Sequence, residues 1–377
     1  MKTFARGAIA ACLLAGPALA ADLEFPSEVS WATYHPMAAQ QARAIGDALH
    51  AASGATLHVQ PGGSDLANAG LLRDGAVDFA ATAVAGSIAA QEGVFDFAAE
   101  DWGPQKVRLV LANTDEPINF GIAVAGDAGV ETYADLKGKR VAWYTDLPVV
   151  NVNTEAHLAY GGLGWDDVTR VEVAGSFGPA LNALRDGQLD AAFAGANERS
   201  RKAAEGPRGL VWPPVDPTDT AGLKRLEAVA PYFVPHTATE GPAAAGSAEQ
   251  HPGVHYPYPI LVAREDTDAG LVEAMTTALI ELYPRYEGKA FGIDGWAVDP
   301  QQLLWFVPYH DGAVAALKEA GVWTDAAQAH NDRLVARQEA LAAAWAALKA
   351  ENPDDWQAAW EARRHAALAD GGFRPVF

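Results

Sequence analysis

The sequence predicts an α/β protein of two lobes joined by two chain crossings, with a ligand cleft between them and a helical extension at the C-terminal end. Three observations carry this reading. Short apolar strands alternate with amphipathic helices along most of the chain, the pattern of sheets covered on both faces. The alternation breaks once, over the proline- and glycine-rich residues 205–259, and resumes at "ILVARED". Residues 330–377 carry helical periodicity alone.

Taken in order, "EVSWATY" (28–34) reads as a strand and "PMAAQQARAIGDALHAAS" (36–53) as an amphipathic helix. "ATLHVQ" is a second strand, "DFAATAV" a third and "FGIAVAG" (120–126) a fourth with no polar alternation. "YADLKGKRVAWY" gives a helical turn, a glycine break and a buried strand. "NTEAHLAYGGLGWDDV" is a helix stopped at Gly161-Gly162, followed by strand "RVEVAG", helix "SFGPALNALRDGQ" and strand "LDAAFAGA". The run of continuous apolar strands suggests parallel sheets. After the irregular region, "ILVARED" is again a strand and "AGLVEAMTTALIELYPRY" a helix. Crossings near 121–125 and 260–263 divide the chain into a first lobe (21–122 and 262–329) and a second (123–261). In the extension, Leu334, Leu341, Trp345 and Leu348 form one helix face and Trp356, Trp360 and Leu368 another. This hairpin either docks on a lobe or offers a surface to a membrane partner.

The first twenty residues read as a cleavable signal peptide: Lys2 and Arg6, the apolar run "GAIAACLLAGPALA", then the Ala18-Leu19-Ala20 cleavage site. The expected location is therefore the periplasm. "IAAC" faintly matches a lipoprotein box, but the apolar run continues past Cys12. Cys12 is the only cysteine, so the mature chain forms no disulfide and depends on burial. With 27 basic against 48 acidic residues and a net charge of −21, nucleic acid and anionic membrane surfaces are excluded as partners.

No catalytic constellation is present: no G-x-S-x-G, no H-E-x-x-H, no cysteine nucleophile. His236, His251 and His255 lie in the irregular region without clustered acidic partners and read as solvated loop histidines, not a metal site. Asp190 reads as a turn residue ahead of a buried strand. No cofactor or metal is expected. "PGGSDLANAG" (61–70) follows a strand and opens a short helix; locally it is either a plain turn or an anion-cradling loop.

The order of "GGS…N" with "LLRDGAVDFA", then "LKGKRVAW", "ALRDGQLDAAFAG" and "PYHDGAVAALKEAGVW" (308–323) resembles the TAXI family of TRAP-transporter solute-binding proteins. The likeness covers roughly residues 28–325, and the last motif is the most specific. It implies a type II-like periplasmic-binding-protein fold that closes on a small solute, an organic acid or amino acid, and delivers it as a monomer to TRAP permease membrane subunits. An exported enzyme on the same scaffold, or a ligand sensor, are the alternatives. The resemblance places Thr33, Tyr34, Gly63, Ser64 and Asn68 at the cleft from the first lobe. The family's Gly-Ser-Gly-Thr turn of the second lobe is replaced by Leu147-Pro148-Val149-Val150, so Trp143, Tyr144, Pro148, Asn151, Asn153 and Asn197 are the second lobe's candidates. Trp143 is read as a cleft wall or core, and Asn153 as a contact or a helix cap. The cleft is expected to be more apolar and aromatic than the family pattern.

Overall fold

The computed structural model describes residues 25–377 apart from 115–116, 197–199, 201, 203–205, 240–250, 300 and 302. Twelve strands are defined in it. β1 (Glu28–Thr33), β2 (Thr56–Pro61), β3 (Phe79–Thr82) and β4 (Val107–Ala112) precede the first crossing. β5 (Phe120–Ala125), β6 (Arg140–Tyr144), β7 (Thr169–Val173), β8 (Ala191–Gly195) and β9 (Leu210–Val211) follow it. β10 (Val234–Ala238) and β11 (His251–His255) form an antiparallel ribbon, and β12 (Ile260–Arg264) follows the second crossing. They build two five-stranded sheets, ordered β2-β1-β3-β12-β4 and β7-β6-β8-β5-β9. This is a two-lobe periplasmic-binding-protein fold of type II-like strand order.

The sheets are mixed, where the apolar strands suggested parallel ones. β12 runs antiparallel to β3 and β4, and β5 antiparallel to β8. The cause is topological: each of these strands carries the chain in from the opposite lobe, so it enters its sheet against the direction of the βαβ units. β4, "VRLVLA", is a strand to which the sequence analysis assigns no element; Arg108 interrupts its apolar run. In the structure Arg108 is buried and paired, its Nη2 lying 3.3 Å from Glu265 Oε2 and its Nη1 donating to Gln338. A satisfied guanidinium can occupy a core strand.

The α-helices whose bounds fall among the described residues are α1 (Pro36–Ser53), α2 (Asp65–Arg73), α3 (Val84–Glu92), α4 (Pro148–Tyr160), α5 (Phe177–Arg185), α6 (Thr220–Val229), α7 (Ala269–Glu281), α8 (Tyr283–Tyr286), α9 (Asp311–Glu319), α10 (Asp325–Glu351) and α11 (Trp356–Asp370). Each of α1, α2 and α3 opens directly after a strand of the first sheet, and α4 and α5 directly after β6 and β7. α4 starts earlier than expected. Pro148 at its first position fits the fixed φ and missing N–H of proline, so residues 148–151 are helix, not turn. The region read as irregular also contains the β10–β11 ribbon, so His236, His251 and His255 are strand residues, a correction to the loop reading. His236 pairs with Gly253 and His255 with Val234 across the ribbon, and the two imidazoles meet diagonally with ring centres 4.3 Å apart.

α10 and α11 pack on the first lobe. Trp345 and Trp360 meet edge to face at 4.9 Å, and Trp360 Nε1 donates to the carbonyl of Gly93. Beneath them Glu92, at the end of α3 and fully buried, accepts from Arg337 Nε at 2.7 Å and Arg364 Nη1 at 3.2 Å. No helix among the described residues is long and apolar enough to cross a membrane.

Candidate functional site

A cavity of about 190 Å³ lies between the two sheets. It forms where the parallel strands end, the place at which α/β sheets leave room for ligands. From the first lobe, the segments after β1, β2 and β3 supply Tyr34 to Met37, then Gly63 and Asp65, then Ala83 and Ala85. From the second, the segments after β6 and β7 supply Leu147 and Val149, then Ser176 and Phe177, and the end of β8 and the residues beyond it supply Gly195 and Ser200. The crossings complete the wall with Ile118 and Phe120 on one side and Tyr256 and Tyr258 on the other. Phe120 and Tyr256 stack at 4.4 Å with their planes 9° apart.

Five helices begin at this cavity, because α1 to α5 each start where a strand ends. Positive helix ends therefore converge on it. The residues ahead of α3, α4 and α5 (Ala83, Leu147 and Ser176) make no side-chain capping bond. Their first free amides are thus not consumed by caps. Asp65 is the one carboxylate among the described lining residues, and no lysine or arginine is among them. Thr82 Oγ1 and the Ala83 amide, the latter at 3.3 Å, both donate to Asp65 Oδ1, and the Tyr34 hydroxyl donates to the same carboxyl group. Burial raises the Asp65 pKa, against these donors, which lower it. Burial, then the charge of Asp65, holds the Tyr34 phenol well above its usual value. Gly86 makes room for the carboxyl, since a Cβ there would collide with it.

The model of the NMT1-like family matches residues 31–321. The chain belongs to the NMT1-like family. Similar solved structures include the periplasmic aliphatic sulphonate-binding protein SsuA of Escherichia coli, at 14% identity and a TM-score of 0.40, covering 78% of this chain and 85% of that one. An ABC transporter periplasmic binding protein of Brucella ovis with glutathione bound matches at 11% identity and 0.44, covering 69% and 70%. An amino acid ABC transporter substrate-binding protein, AbpA of Streptococcus pneumoniae, bound to L-arginine, matches at 12% and 0.38, covering 72% and 94%. No curated protein matches the sequence.

In this NMT1-like chain the sequence candidates fall into three groups. Tyr34, Gly63 and Asn153 line the cavity. Asn153 does not cap α4, as it lies inside the helix; its Oδ1 accepts from Tyr232. Ser64 and Pro148 face each other across an adjoining crevice of about 40 Å³. The Ser64 hydroxyl caps α2 by accepting from the Ala67 amide at 3.2 Å, which answers the local question about "PGGSDLANAG": it is a capped strand-to-helix turn at the cavity edge.

The third group sits behind the wall, a correction to the cleft reading. Thr33 ends β1, buried. Asn68 is buried, its Nδ2 donating to the Ala81 carbonyl, and Gly62 gives it space. Trp143 and Tyr144 are neighbours on a strand and so point to opposite faces. Trp143 packs on Trp165 at 4.9 Å and under Arg170, away from the cavity. Tyr144 donates to the Phe193 carbonyl and packs on Phe177. Asn151 joins α4 to β6: its carboxamide accepts from the Tyr144 amide at 2.8 Å and donates to the Tyr144 carbonyl at 2.9 Å. Asn197 lies outside the described residues.

Asp65, Phe120, Phe177, Tyr256 and Tyr258 were missed. Asp65 stood inside the opening motif but resembles any acidic first-turn residue. The two tyrosines lie in "VHYPYP", within the segment read as irregular. Asp190 is structural, closing the turn ahead of β8: Arg140 clasps it with Nε at 3.0 Å and Nη2 at 2.7 Å, pulling its pKa down to about 2.

Proposed function

We propose that the protein is an exported, non-enzymatic solute-binding subunit that captures a small organic acid with an apolar or aromatic portion. The observation that carries this is the inter-lobe cavity: its walls are aromatic and aliphatic, and five helix N-termini meet at it. Phe120, Phe177, Tyr256 and Tyr258 would cover the apolar body. Amides at the starts of α4 and α5, with Ser176, would receive the carboxylate. The motifs resembling the TAXI family support delivery to a TRAP-type permease, and the leader-like N-terminus supports a periplasmic location.

A thermal-shift screen of organic acids, amino acids and aromatic acids tests this reading. A ligand present at 100 times its Kd should stabilise the folded state by about 2.7 kcal/mol. Chemical turnover of a hit, seen by mass spectrometry, would overturn the non-enzyme reading. Uptake of the hit by vesicles holding the cognate permease, only when the protein is added, distinguishes transport from sensing.

A further inference from the structure

We propose that the segment following α11 (residues 371–377) is a latch across the two lobes, with Phe377 wedged between Phe95 of the first lobe and Tyr232 of the second, and that it governs how readily the cavity opens. The proposal rests on the preceding reading of that cavity as a solute site and adds a device that controls it.

The segment is fastened to the first lobe at several points. Arg337 Nη1 donates to the Arg374 carbonyl at 2.8 Å. Arg364 reaches the Val376 carbonyl with Nη1 at 3.1 Å and the backbone oxygen of Phe377 with Nη2 at 2.8 Å. These are the two guanidiniums bound to Glu92, so the cluster that anchors the hairpin also fixes the course of the segment. Phe373 lies against Arg333 and Arg337, 5.6 and 5.7 Å from its ring centre. Holding a segment in one conformation costs entropy, and what the fixed segment delivers is the Phe377 ring.

That ring touches both lobes. Phe95 follows α3 in the first lobe, its ring centre 5.5 Å from that of Phe377. On the other side Tyr232, between α6 and β10, stands edge-on to Phe377 at 6.3 Å. Arg225 of α6 donates to the Ala159 and Tyr160 carbonyls of α4, so Tyr232 belongs with the second lobe. Tyr232 is also edge-on to Phe306, whose carbonyl accepts from Gln91 of α3. A fully buried second-lobe tyrosine is thus enclosed by first-lobe rings. Separating the lobes must pull it off Phe377 and Phe306, and aromatic pairs of this geometry contribute beyond their buried area.

Tyr232 also connects to the cavity wall. Its hydroxyl donates to Asn153, and its ring meets Tyr256 edge to face at 5.9 Å; both partners line the cavity. The latch therefore holds the lobes and positions Asn153 at once. A protein whose binding-competent arrangement is favoured beforehand binds its solute more tightly, because less of the binding energy goes into reaching that arrangement.

Thiol access to the cavity tests this with no solute present. Val150 lines the cavity and is buried, and Cys12 is the only native cysteine. In a Cys12→Ala chain, Val150→Cys places a single thiol where iodoacetamide reaches it when the lobes part. Adding Phe377→Ala should speed alkylation by about two- to tenfold, the change in opening expected for one lost ring pair. Tyr232→Leu, which removes the latch from the other side, should speed it at least as much. Trp143→Ala weakens the second lobe away from the latch and should leave the rate unchanged. An unchanged rate in either latch variant that folds, as judged by its melting curve, overturns the proposal; if Tyr232→Leu does not fold, Phe377→Ala decides alone. Equal acceleration by Trp143→Ala also overturns it, since the thiol would then be exposed by general unfolding. No solute enters the assay, so a failed latch and a failed solute screen are separate results.

Discussion

His157 shows how one residue near the cavity couples stability to pH. It is fully buried on α4, donating through Nδ1 to the Asn153 carbonyl at 2.8 Å and packed on Phe193 and Phe233. Burial lowers its pKa to about 4; His255 falls to about 3, with His236 adding to the effect. Unfolded histidine titrates near 6.5, so below that pH the unfolded chain binds more protons. The stability is complete above pH ~6.5 and is lost as pH falls through about 4. Melting temperatures of His157→Phe should therefore vary less steeply than wild type across this window; superimposable slopes would refute the assignment. A second prediction separates wall from support. Asn153→Ala should change the ranking of ligands, whereas Trp143→Ala should lower stability and leave the ranking intact. A ranking altered by Trp143→Ala alone would return that indole to the site. Tyr34 and Gly63 were legible because motif order marks strand-end loops. Asp65 was not, since the closing of Thr82, Ala83 and Tyr34 around its carboxyl is a fact of three dimensions.

At the scale of elements, the α10–α11 hairpin is held by a buried ionic cluster as well as by its tryptophans. Glu92 is completely buried, and Arg337 and Arg364 are nearly so. Removing one partner leaves the rest without full compensation, which typically costs about 3–5 kcal/mol. Arg337→Ala should thus lower the unfolding free energy by about that amount, measured by denaturant titration. Arg363→Ala breaks only a more exposed pair with Glu351 inside the hairpin, and should cost about 0–1 kcal/mol. Equal losses in the two variants would mean that the cluster does not anchor the hairpin. The stripe Leu341, Trp345, Leu348 made these helices legible, because periodicity survives in sequence. Arg337 and Arg364 were not legible as anchors: a charge reads as surface until its partner is seen.

For the whole molecule, the two crossings do two jobs. They connect the lobes, and they place Phe120 and Tyr256 in the cavity wall as a stacked pair. The two lobes with their two crossings were readable from the interrupted strand–helix alternation. The antiparallel entry of β5 and β12 was not, because direction within a sheet leaves no mark on an apolar run. The stack joins one crossing to the other, so its energy resists relative movement of the strands that carry the chain between lobes. Phe120→Leu and Tyr256→Leu each remove one ring and keep an apolar side chain. If the rings act as a pair, the double variant should be less destabilised than the sum of the singles, by a coupling of about 0.5–1.5 kcal/mol in denaturant unfolding. Ligand affinity should fall in each single variant, since both rings also face the cavity. Additive stabilities with weakened binding would leave the rings as ligand walls but deny them any role in fixing the crossings.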